Sequence, residues 1–167
     1  MFRPKSGEGP QSHPGDGARL PAEVRAAVPG DLDAVVAVNR AAATAAFALI
    51  FADQPYPEDG VRARYQRLFR DPDVRLFVAE QAGNLVGYAA ARPGRIEALY
   101  VVPECWGTGV AEVLYGRAAS IAGPKATLWV LRDNVRGRRF WERRGWRATG
   151  EEDETRSATE CLYRRED

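Results

Sequence analysis

The residues best placed to do chemistry lie in one strand-to-helix passage. Residues 96–116 read IEALYVVPECWGTGVAEVLYG, with a tight turn at Trp106-Gly107-Thr108-Gly109-Val110-Ala111. Glycines let a backbone turn sharply and approach a ligand closely. The helix that follows offers unpaired N–H groups and the positive end of its dipole, so the loop is a natural anion site, with a pyrophosphate as guest. The same residues would also serve as a plain strand-to-helix turn. A P-loop is excluded because no Gly-Lys-Ser/Thr follows. A Rossmann fingerprint is excluded because Glu112 stands where its third glycine would be.

Other chemistries are poorly supplied. His13 is the single histidine and sits among glycines and prolines, which argues against a His zinc site or a Ser-His-Asp triad in the core. Cys105 and Cys161 are the only cysteines and lack metal-ligand spacing, so no metal is expected. Cys105 adjoins the loop, but no histidine is at hand to activate its thiol, and it reads as structural.

The elements that must hold this loop follow from periodicity and punctuation. Val24–Val28 is strand-like, and Pro29-Gly30-Asp31 reads as a turn ending in a helix N-cap. Leu32, Val35, Val36, Ala43, Ala46, Phe47 and Ile50 recur at helical spacing, and a second helix fits Glu58–Arg70. Val74–Glu80 and Leu85–Ala91 are strands joined through Gly83-Asn84, and Ile96–Val102 is a third. A helix at Gly109–Ile121, a strand at Thr127–Leu131 and a helix at Val135–Arg144 follow, with Asn134 as N-cap and Gly145 as stop. Strands at Trp146–Thr149 and Thr159–Arg164 close the chain. The order β-αα-βββ-α-β-α-ββ contains adjacent hairpins, so the sheet is mixed rather than doubly wound.

Composition sets the outer limits. The chain has 167 residues, about one domain by length, with a formal charge of +1 and 45% apolar residues. That balance argues against a polybasic nucleic-acid protein and an acidic disordered one. Lys5 and Lys125 are the only lysines among 24 basic residues, an Arg excess of the kind a GC-rich bacterial genome produces. Residues 1–20 carry four Gly and three Pro and read as a disordered tail, leaving 21–167 as a single domain. The N-terminus lacks an apolar signal-peptide core, and the apolar run Ala41–Ala52 is too short to span a bilayer. A soluble cytoplasmic protein that does not engage membranes is the expectation.

The passage resembles the GNAT superfamily of acyl-coenzyme A-dependent N-acetyltransferases. The family's Arg/Gln-x-x-Gly-x-Gly/Ala signature falls on Trp106–Ala111, and the preceding LYVVPE (Leu99–Glu104) is similar to the family's fourth strand and turn. Leu128–Trp146, LWVLRDNVRGRRFWERRGW, is similar to its fifth strand and following helix. The similarity covers roughly residues 24–164. It implies an α/β (α+β) fold: a mixed, mostly antiparallel sheet of about 6–7 strands flanked by four helices.

The resemblance also implies a site and a reaction. Acetyl-coenzyme A would be the cosubstrate, and its acetyl group would pass directly to an amine of a small molecule or peptide. Main-chain groups at Leu99, Tyr100 and Val101 would hold the pantetheine arm, with Asn134 beside it. The amides of Gly107, Thr108, Gly109, Val110 and Ala111 would hold the pyrophosphate. Glu97 lies on the strand that often carries the family's base, on the face of Leu99 and Val101 by strand alternation, and would act as base or water-positioner. Phe47, Phe51 and Tyr56 would wall the acceptor pocket. Many members are dimers, which makes a homodimer the expectation.

Two positions depart from the pattern. Trp106 replaces the Arg or Gln that usually opens the loop, although backbone amides there can still bind phosphate. Trp141 replaces a Tyr that protonates the departing thiolate, and an indole N–H donates only hydrogen bonds. Tyr88, Tyr100 and Tyr115 are the nearest substitutes. The departures leave two readings, an N-acetyltransferase or a non-catalytic acyl-coenzyme A-binding or regulatory module. Residues 132–147 carry seven Arg and two acids, followed by Glu-Glu-Asp-Glu at 151–154. This is either a solvated helix face or a set in which Arg136, Arg138 or Arg139 meets the 3′-phosphate of coenzyme A. The neighbouring aromatics Phe140, Trp141 and Trp146 fit buried positions better than base-stacking ones, which argues against nucleic acid.

Overall fold

Seven strands form one sheet in the order β1-β2-β3-β4-β5-β7-β6, and four α-helices flank it. The computed structural model describes residues 21–154 and 158–166, so the tail reading for 1–20 lies outside the described residues. The strands are β1 (Glu23–Ala26), β2 (Arg75–Gln81), β3 (Asn84–Arg92), β4 (Arg95–Val101), β5 (Thr127–Leu131), β6 (Trp146–Glu154) and β7 (Thr159–Arg165). The helices are α1 (Leu32–Ala46), α2 (Glu58–Arg70), α3 (Val110–Ala122) and α4 (Val135–Glu142). Every pairing is antiparallel except β4 with β5, which gives the mixed, mostly antiparallel sheet that the sequence implied.

Each face of the sheet buries a separate core. On one face Val110, Leu114 and Ala118 of α3 and Trp141 of α4 pack with Val101, Leu128, Val130, Trp146 and Tyr163. On the other, Val35 and Val38 of α1 and Tyr65 and Leu68 of α2 pack with Val78, Tyr88 and Ala98. The helical stripes read from the sequence are these buried faces. Glu58 and Asp59 at the start of α2 and Arg67 and Arg70 in its last turn also complement its dipole.

Three local expectations are corrected. The α1 stripe runs through Phe47 and Ile50, but the helix ends at Ala46 and turns carry the chain onward. Phe47 and Phe51 still meet edge to face at 6.1 Å, because one of those turns keeps a helical spacing (Phe51 N–H to the Phe47 carbonyl, 2.9 Å). The β2–β3 hairpin turns on Ala82 (φ 50°) and Gly83 (φ 77°), with Asn84 already paired to Gln81, one residue earlier than Gly83-Asn84. Asp31 sits at the α1 N-cap position but does not cap it. Its carboxylate accepts from the Arg25 guanidinium, and from the Val28 amide at 2.8 Å, which hold it below the usual carboxylate range.

Two irregularities of β4 shape the surface beside it. Its pairing with β5 is limited to Arg95↔Thr127, so the two strands part beyond that point. Its register with β3 steps from Ala90↔Ala98 to Ala91↔Ile96, which makes Glu97 the extra residue of a β-bulge.

Candidate functional site

The parting of β4 and β5 opens a cleft of about 1260 Å³. Glu97, Leu99, Tyr100 and Val101 line the β4 side, and Leu128–Leu131 line the β5 side. Trp106, Gly107 and Ala111 stand at one end of the cleft wall, with Asn134, Arg139 and Trp141 facing from the α4 side. Phe47 and Phe51 reach in from the segment after α1. The cleft therefore gathers twelve of the sixteen candidate site residues, while Tyr56, Thr108, Gly109 and Val110 are not on its wall.

The glycine loop has the backbone that an anion cradle needs. Gly107 (φ 75°) and Gly109 (φ 91°) are both left-handed, a conformation that side chains disfavour, and Gly109 is the α3 N-cap. The amides of Val110, Ala111 and Glu112 are in the first helical turn and have no intrahelical acceptor. Thr108 serves the loop itself: its hydroxyl donates to the Cys105 carbonyl at 2.6 Å. Cys105 is buried, and its thiol donates to Gln81 at 3.6 Å, in keeping with a structural role.

Trp106 ties the two sides of the cleft together. Its indole N–H donates to the Val101 carbonyl at 2.8 Å, and the Arg136 guanidinium of α4 lies 4.0 Å from the ring centroid. Asn134 caps α4 by accepting from the Gly137 amide at 2.9 Å. A Cβ at position 137 would collide with the Asn134 side chain, so Gly137 permits this cap.

The bulge changes the setting of Glu97. Alternation from Leu99 and Val101 would place it with them on the α3 side. Instead, Ile96, Leu99 and Val101 pack on that side, Ala98 and Tyr100 pack on the other, and Glu97 interrupts the pattern. Its carboxylate is 2.8 Å from Arg92 and 3.6 Å from Arg95. Arg92 also grips Asp71, at the C-cap of α2, at 3.0 Å.

The structure sorts the aromatic candidates. Tyr88 is fully buried, bonded to the Tyr65 hydroxyl at 2.5 Å and accepting from Asn39 at 2.7 Å. The Tyr115 hydroxyl accepts from the Trp146 indole at 3.2 Å. Tyr100 is the one tyrosine on the described cleft wall, stacked on Tyr88 at 5.6 Å. Burial raises its pKa, Arg64 opposes that rise and Glu160 adds to it. Tyr56 donates to Asn39 at 2.6 Å, so it braces α1, and burial pushes its pKa up to about 12. Trp141 is buried against Tyr115, Phe140 and Trp146.

The arginine block divides by direction. Arg138 turns away from the cleft to the Tyr163 hydroxyl at 2.8 Å, which removes it from the phosphate candidates. Arg132 pairs with Glu152, and Arg144 with Glu112 at 2.6 Å. Arg136 and Arg139 remain on the cleft wall. Sequence reasoning missed Arg64, Trp129 and Glu160, which also line the cleft. Arg64 and Glu160 lie outside the motifs and Trp129 falls within Leu128–Trp146; they meet only because α2, β5 and β7 converge there.

Among the described residues, no helix is long and apolar enough to cross a membrane, and no group of three or more His, Cys, Asp or Glu could hold a metal. Comparison with solved structures finds the same fold repeatedly. The PaiA N-acetyltransferase of Thermoplasma acidophilum, in complex with coenzyme A, superposes with a TM-score of 0.71 at 21% identity, covering 86% of this chain and 98% of that one. A GCN5-related N-acetyltransferase of Rhodopseudomonas palustris gives 0.71 at 18% identity, covering 90% and 99%. An acetyltransferase of Thermus thermophilus gives 0.66 at 22%, covering 87% and 97%. No curated protein matches the chain. Residues 40–146 match the sequence model of the Acetyltransferase (GNAT) family, and the chain belongs to that family.

Proposed function

We propose that the cleft binds acetyl-coenzyme A and that the protein transfers the acetyl group directly to an amine. One observation carries this reading: β4 and β5 part beyond Arg95↔Thr127, and the far end of β4 leads into a left-handed glycine loop and the first turn of α3. The residues present suit the cosubstrate. Gly107 and Gly109 have open space where side chains would project, so a phosphate can approach the backbone closely. The amides of Gly107, Gly109, Val110 and Ala111 hold the pyrophosphate, while that of Thr108 donates to the Cys105 carbonyl at 3.4 Å, and Arg139 takes the 3′-phosphate. The main chain of Leu99–Val101 and the Asn134 side chain hold the pantetheine arm. The bound cosubstrate supplies an acyl carbon activated as a thioester. Support also comes from the family match and from the coenzyme A complex of the Thermoplasma relative.

The protein's own groups handle the protons. Arg92 and Arg95 fix the Glu97 carboxylate in place, so Glu97 acts as the water-positioner. Trp141 cannot protonate the leaving group. A thiol has a pKa of about 8.5, so a thiolate departs readily, and Tyr100 is the hydroxyl nearest to hand for it. The replacement of the usual Tyr by Trp141 also favours a second reading, a non-catalytic acyl-coenzyme A-binding module. Thiol release from acetyl-coenzyme A with an amine panel decides between them. Both readings require a thermal shift with acetyl-coenzyme A; only the enzyme releases thiol when an amine is added.

A further inference from the structure

Two opposite charges face the cleft without an ion-pair partner among the described residues. Arg64 on α2 is exposed at the cleft wall. One of its nitrogens donates to the Glu97 carbonyl at 2.8 Å, and its guanidinium sits 5.8 Å from the Tyr65 ring centroid. No carboxylate pairs with it among the described residues. Glu160 on β7 is half-buried and pairs in register with Leu131 of β5. The neighbouring pair, Val130↔Cys161, belongs to the α3–α4 core. By strand alternation Glu160 therefore points to the opposite face, that of α1 and α2. Its carboxylate has no hydrogen bond or ion pair among the described residues.

Tyr100 lines the same cleft, and its hydroxyl feels Arg64 and Glu160 with opposite sign. Glu97 on the same wall is already neutralised within a cluster of two acids and two arginines, Glu97 and Asp71 with Arg92 and Arg95. Phe47, Phe51 and Trp129 supply apolar wall. A half-buried carboxylate such as Glu160 costs free energy unless it is paired. Two opposite charges that do not pair with each other in one cleft suit a ligand with the reverse pattern.

We propose that the acceptor is an amino acid, its ammonium group recognised by Glu160 and its carboxylate by Arg64. This assignment rests on reading the cleft as an acetyl-transfer site. Arg64 suits the carboxylate because a guanidinium can donate two parallel hydrogen bonds to it. Glu160 suits the amine because it lies across the cleft, on the β5–β7 half of the sheet.

The test compares kcat/KM for free L-amino acids, each beside its α-carboxamide, with aliphatic diamines in the same panel. At least one free acid is expected to exceed its carboxamide by about tenfold or more, the range that loss of a partner to a charged group produces. Arg64→Gln should erase that ratio, with Arg64→Lys restoring part of it. Glu160→Gln should raise KM for acid and carboxamide alike, and leave the acetyl-coenzyme A thermal shift unchanged. The wild-type comparison needs no variant, so a misfolded Arg64 variant does not shield the proposal. Carboxamides used as well as the acids, or Glu160→Gln with unaltered KM, would overturn it. Acetylation of diamines but not of amino acids overturns this assignment and leaves the transferase reading standing. If no amine is acetylated, both fall.

Discussion

The Arg136 guanidinium lies 4.0 Å from the centroid of the Trp106 ring, and so joins the glycine loop to α4 across the mouth of the cleft. The Trp106 indole simultaneously donates to the Val101 carbonyl at 2.8 Å. A tryptophan at the head of this loop thus does what a flexible polar side chain would not: it stacks and anchors at once. A cation–π contact contributes about 0.5–2 kcal/mol, and a neutral hydrogen bond about 1 kcal/mol. Trp106→Ala is expected to lower the melting temperature by several degrees, at about 2–4 °C per kcal/mol for this size class. It should also weaken coenzyme A binding in a calorimetric titration. Unchanged stability would show that the stack contributes nothing in solution.

Gly109 offers a cleaner test of the loop backbone. Its φ of 91° is left-handed, and an added Cβ meets nothing within 4 Å. Gly109→Ala should therefore cost only the conformational penalty, about 1–2 kcal/mol, read by urea denaturation. A drop in coenzyme A affinity is expected beside it, because the first-turn amides of α3 hang on this residue.

Glu97→Gln removes the charge that holds Arg92 and Arg95 together. If the carboxylate orients water for the acceptor, kcat should fall by about 10²-fold or more, as for loss of a group assisting proton transfer, and the pH–rate profile should change shape. Turnover that is the same across pH would exclude Glu97 from the reaction.

The leaving group is probed from two sides. Trp141→Tyr restores a phenol at a buried cleft position, and turnover is expected to rise by up to about 10²-fold, within the range of general acid catalysis. Some stability should be lost, because Trp141 packs against Tyr115, Phe140 and Trp146. Tyr100→Phe should lower kcat in the native background and matter less in the Trp141→Tyr variant. No gain in Trp141→Tyr would refute the missing-acid argument.

The buried tyrosines predict alkaline sensitivity. Burial raises the pKa of Tyr56 to about 12 and those of Tyr65, Tyr88 and Tyr100 upward as well. Unfolded, these phenols titrate near 10. Above that pH the unfolded chain has lost protons that the folded chain retains, so stability falls as pH rises. Denaturant midpoints should hold below pH 10 and decline steadily from about 10 to 12, and Tyr56→Phe should flatten the slope.

Much of this molecule was written along the chain. The order of elements, the extents of α2 and β5, and the Asn134 cap follow from local signals: apolar periodicity, glycine, proline and N-cap chemistry. The backbone geometry of Trp106–Ala111 is also local, since it needs only a strand, two glycines and a helix start. Other features are invisible at that range. Nothing near Glu97 announces the bulge, which exists because β3 and β4 pair out of step by one residue. Arg138 and Arg139 are neighbours in sequence, yet one turns to Tyr163 and the other to the cleft.

The acceptor side shows the division most plainly. Arg64 reads as one more polar position on α2, and Glu160 as one more charge on a late strand. They become a pair of facing charges only when α2 covers one half of the sheet and β7 joins β5 on the other. The sequence by itself determined the elements, their order and the glycine turn before α3, because these rest on signals between residues close along the chain. Only the tertiary structure decided which charges line the cleft, because that depends on long-range pairing and on the parting of β4 from β5.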